Sequence, residues 1–130
     1  QCTNGAFWKA VHKGTVPAAS TKYMTITGHS GGGSGSLYLY VQGGTGTTNR
    51  GHGMYVIDYY LSGSTLNSAT TVISKTGAIS SYLTDLTTTS ISSSSWRVNF
   101  AFSTGGLTFG VNLMHVPGNM GATSMSFAFT

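Results

Sequence analysis

Along most of the chain, large apolar residues alternate with small or polar ones at a period of two. Trp96, Val98, Phe100 and Phe102 share one side of an extended segment, and Arg97, Asn99 and Ala101 share the other. Leu107, Phe109, Val111, Leu113 and His115 repeat the pattern, which makes His115 a buried or rim histidine with its polar atoms satisfied. Met125, Phe127 and Phe129 line up opposite Ser124, Ser126 and Ala128. The alternation predicts strands at 7–16, 22–27, 36–42, 54–61, 69–74, 96–103, 107–116 and 123–129. Gly, Ser and Thr turns separate them, and Pro17 and Pro117 stand just past strand ends, where a missing N–H harms no ladder. Ser103-Thr104-Gly105-Gly106 reads as a hairpin turn between the sixth and seventh strands. Residues 78–86 hold at most one short turn of helix, because Ser80, Ser81 and Thr84 weaken it. The expected fold class is all-β: an antiparallel β-sandwich or jelly roll of about eight strands, in one domain over residues 1–130.

Two strands carry bulk on both faces. In the third, Leu37, Leu39 and Val41 oppose Tyr38 and Tyr40; in the fourth, Tyr55, Ile57 and Tyr59 oppose Val56, Asp58 and Tyr60. A thin sandwich has one interior, so the second face of the third strand is expected to meet another subunit or a ligand. Tyrosine suits that place because it joins apolar area to a hydroxyl. Glycine-rich segments bracket this strand, GHSGGGSG at 28–35 before it and GGTGTTNRGHG at 43–53 after it. Both are expected to be loops, either carrying recognition or serving simply as long hairpin connections.

Composition sharpens the picture. Charged residues are only 6% of the chain while hydrophobic ones are 39%, so the sequence can build a core under a neutral, hydroxyl-rich surface. The net charge of +4 comes from six scattered cations against Asp58 and Asp85. Nucleic-acid binding, which relies on clustered basic residues, is not expected. No apolar run reaches the ~18 residues of a membrane helix, so membrane insertion is not expected either. Cys2 is the sole cysteine and admits no intrachain disulfide. The start at Gln1 is consistent with processing or with excision from a longer protein.

Catalysis finds little support. A glycosidase needs two carboxylates, and the chain has only Asp58 and Asp85. The GGGSG run at 31–35 resembles a nucleophile elbow in its letters but lacks the following helix. No cofactor is expected, and no histidine pair has metal-ligand spacing. His29 and His52, at the ends of the glycine loops, are the one pair that folding or assembly could bring together. Neither glycine loop ends in the Gly-Lys-Ser/Thr of a phosphate loop. The candidate ligand-binding residues are therefore His29, Tyr38, Tyr40, Asn49, Arg50 and His52: hydrogen-bond donors beside an aromatic strand, with Arg50 suited to an acidic group. Tyr59, Tyr60 and the exposed face of the first strand are the fallback surface.

The opening AFWKAVHKGTVPAASTKYMTITGHSGGG, the strand SLYLYV and the later WRVNFAF together resemble the distal, receptor-binding head domains of bacteriophage tail fibres. The resemblance runs over most of the chain in pattern. It implies a β-sandwich that assembles as a homotrimer at a fibre tip and binds a host cell-surface glycan or receptor, without catalytic residues. The location implied is the virion or the extracellular space. A structural virion subunit and a secreted microbial lectin are the alternatives.

Overall fold

In the structure, a computed structural model, residues 8–29, 32–45, 50–118 and 122–130 are described. Nine strands and one helical turn follow one another: β1 (Trp8–Val16), β2 (Ser20–His29), β3 (Gly32–Gly44), β4 (Arg50–Ser62), β5 (Thr65–Gly77), α1 (Ile79–Tyr82), β6 (Leu83–Ser92), β7 (Ser95–Phe102), β8 (Leu107–Pro117) and β9 (Ala122–Phe129). They form two antiparallel sheets. The first has the order β1-β8-β3-β4-β5 and the second β6-β7-β2-β9. The fold class is thus all-β, as the alternation requires.

The inward residues of the two sheets make one core. Trp96, Val98 and Phe100 from β7 and Met24 and Ile26 from β2 face Leu37, Leu39, Ile57 and Phe109 from the five-stranded sheet. Each large side chain so buried contributes roughly 1.5–3 kcal/mol. Aromatic contacts bridge the layers. Tyr59 lies with its ring centroid 4.7 Å from that of Trp96, and Phe102 lies 4.8 Å from Phe109. Tyr59 also reaches His115, with 2.6 Å between Oη and Nε2. Burial raises the Tyr59 hydroxyl pKa, so it stays protonated in the core. Gly35 permits this pair: a Cβ there would stand 3.1 Å from His115 Nε2 and 3.2 Å from Tyr59 Oη. His115 is buried and satisfied, as its place in the alternation requires.

Three expectations need correction. A strand at Leu83–Ser92, LTDLTTTSIS, joins those the alternation predicts, which makes nine among the described residues. Only Leu83 and Leu86 of β6 are buried, so it lacks a period-two signature. The glycine segments are largely strand: Gly32 to Gly35 pair with Ser62 to Tyr59, and Arg50 and His52 pair with Gly44 and Gln42. Backbone hydrogen bonding to a partner strand needs no side chain, so a glycine run can join a ladder that its composition disfavours. The turn at 103–106 carries a left-handed Gly106, but it leads from one sheet to the other and is no hairpin. In β1 a bulge between Ala10 and His12 interrupts the alternation. Ala10 is exposed opposite Asn112, while His12 turns inward opposite Val111.

Candidate functional site

The outward face of the five-stranded sheet is built by the even-numbered residues of β3, β4 and β8. Cross-strand registers arrange them in rows. Tyr38 lies between Met114 and Val56, and Tyr40 between Asn112 and Met54. The next row runs Lys13, Gly110, Gln42, His52. Arg50 projects from the row beyond, opposite Gly44. Tyr38 and Tyr40 are half-buried. Tyr40 and His52 stack with centroids 5.1 Å apart and planes inclined by 28°.

Of the six residues expected to form the site, four share this face: Tyr38, Tyr40, Arg50 and His52. Asn49 lies outside the described residues. His29 does not join them. It closes β2 in the other sheet and precedes β3, whose thirteen residues span roughly 40 Å before Arg50 is reached. One chain therefore cannot bring His29 and His52 together on a metal. Among the described residues no group of three His, Cys, Asp or Glu is placed to hold a metal ion. Of the fallback surface, Tyr59 is core, 5% exposed, whereas Tyr60 is 54% exposed on the outward face.

Sequence reasoning missed the residues that complete the site. Lys13, Gln42, Arg50, Thr108 and Asn112 line, together with Gly110, a notch of about 180 Å³. Lys13 is on the exposed face of the first strand, but its approach to β3 and Arg50 depends on β8 lying between β1 and β3, which no local pattern reveals. Behind the notch, His12 stacks on Phe129 at 4.3 Å and tilts on Phe109 at 4.6 Å. Burial, with Lys22 adding to it, lowers its pKa and favours the neutral ring. A second hollow of about 230 Å³ lies between β5 and β6 and holds Lys75 together with Asp85. Of the two carboxylates, Asp58 stands on the outward face and accepts a hydrogen bond from Ser36, and Asp85 belongs to the other sheet.

No family model matches the chain. No curated protein matches it either. Among solved structures the chain is similar to the tailspike protein of Acinetobacter phage vB_ApiP_P1, with a TM-score of 0.54 and 15% sequence identity. The match covers 98% of this chain and 24% of that one, so this chain spans about a quarter of the tailspike's length. At this identity the likeness is one of fold.

Proposed function

We propose that this chain is a host-attachment domain of a phage tail protein that binds a cell-surface glycan or receptor through the outward face of the five-stranded sheet. The observation that carries the reading is the half-buried Tyr38–Tyr40 strip with His52 stacked on Tyr40, flanked by Met54, Val56 and Met114 and by the amides of Gln42 and Asn112. Aromatic rings cover the apolar faces of pyranoses while amides and hydroxyls bond their rims. The fold shared with a phage tailspike supports a place on the virion tail. The domain acts without hydrolysis in this reading, because Asp58 and Asp85 lie on different sheets and do not flank one bond. It works as a homotrimer. The strand β5 supports assembly: it is a thirteen-residue sheet edge exposed along nearly its whole length, with Val72 and Ile73 about half exposed. Edges of this kind are ordinarily blunted or paired.

The test is binding of the purified chain to candidate host cells and to a glycan panel, beside a melting curve. Tyr40→Ala combined with His52→Ala abolishes binding while shifting stability little, since both side chains lie outside the core. Full binding by the folded double variant would move the site away from this face.

A further inference from the structure

The notch over Gly110 has chemistry of its own. We propose that it binds the anionic group of an acidic saccharide, whose remaining rings lie along Tyr40 and His52. This rests on the attachment reading above and names the ligand class for one part of that face.

The charge around the notch has one sign. Lys13 and Arg50 are cationic, Gln42 and Asn112 offer amide donors, and no carboxylate lines it. The chain has only two acids. Asp58 shares the outward face but stands six residues along β4 from His52, roughly 20 Å away. That exceeds the Debye length of about 8 Å at physiological salt, so Asp58 does not cancel the field at the notch. Asp85 sits on the other sheet. The hollow between β5 and β6 makes the contrast, because there Lys75 and Asp85 oppose each other and select no charge.

Gly110 creates the space without being required by the fold. A Cβ at this position would meet His12 O at 3.5 Å and Gln42 Cγ at 3.9 Å, which is ordinary contact. Glycine inside a strand weakens it and marks places where another group approaches closely. The size limits the occupant. At about 180 Å³ the notch falls below the ~300 Å³ at which pockets for drug-sized ligands begin, so it takes one ring or its acid group. Two cations at a single point also differ from the extended basic track that a nucleic-acid backbone needs.

The experiment is an amide chemical-shift titration of the full chain with three probes: a tetrasaccharide containing glucuronic acid, a phosphorylated tetrasaccharide, and a neutral tetrasaccharide. An acidic probe shifts Lys13, Gln42 and Gly110, binds more weakly as salt rises, and is favoured over the neutral one. Comparison of the two acidic probes shows whether carboxylate or phosphate is the natural group. Lys13→Gln weakens acidic-probe binding about tenfold, the loss of one charge-assisted bond. Gly110→Val plugs the notch, removes the acidic preference and leaves the melting temperature unchanged or higher. Equal binding of neutral and acidic probes, no binding of either acidic probe, or parent-like binding by folded Gly110→Val overturns the proposal. An acidic preference that survives in folded Gly110→Val, while the Tyr40 and His52 double variant loses all glycan and cell binding, would overturn the notch and leave the attachment reading standing.

Discussion

Phe100→Ala tests the packing of the sandwich most directly. Phe100 is fully buried on β7, paired with Lys22 of β2 and Leu86 of β6, and its ring lies 5.4 Å from that of Phe129. Truncation removes a ring whose space the surrounding ladders cannot close, because both neighbouring strands are held in register by backbone hydrogen bonds. The expected cost is about 3–5 kcal/mol. For 130 residues the unfolding entropy near the melting point is on the order of 0.27 kcal/mol/K, so the melting temperature falls by about 10–20 °C. Against a total stability of roughly 5–15 kcal/mol, the variant approaches the edge of folding. Phe100→Leu keeps most of the volume and serves as the intermediate case, with a loss of only a few degrees. The assay is thermal unfolding followed by circular dichroism or calorimetry. A midpoint for the alanine variant within about 2 °C of the parent would refute the inward placement of this face of β7.

Two further outcomes follow from the seams and edges. The pKa of His12 is lowered in the folded chain, so below its unfolded value near 6.5 the unfolded chain binds more protons; the stabilisation is complete above that value and is lost as pH falls through the folded pKa. The melting temperature of the parent should therefore drop more between about pH 7.5 and about pH 5 than that of His12→Phe, which keeps the stack on Phe129; parallel profiles would show that His12 is not held neutral. Sedimentation of the parent should show a trimer at micromolar concentration, and replacement of Val72 and Ile73 by Lys should shift it toward monomer; a monomeric parent would sink the assembly reading.

The alternation determined which residues of β3, β7 and β8 enter the core. Trp96, Val98, Phe100 and Phe102, and Leu107, Phe109, Val111, Leu113 and His115, are inward in the structure because a strand's side chains alternate whatever its neighbours are. The same reasoning placed Tyr38 and Tyr40 on a second face. It failed where the backbone ladder, and not the side chains, decides the outcome. The strand β6 buries only two leucines and is held by pairing with β7, and Gly32 to Gly35 extend β3 because β4 lies alongside. The alternation is interrupted also at the bulge in β1, where one unpaired residue puts Ala10 and His12 on different faces. Sheet order is the largest part that only the tertiary structure decided. Lys13, Gln42 and Arg50 are far apart in sequence and meet because β8 inserts between β1 and β3, while His29, closer to β3 in sequence than Lys13 is, lies at the opposite end of that strand. A period of two is a local property of the backbone. The choice of neighbouring strand depends on loop crossings and core contacts spread over the whole chain, and no short window of sequence contains them.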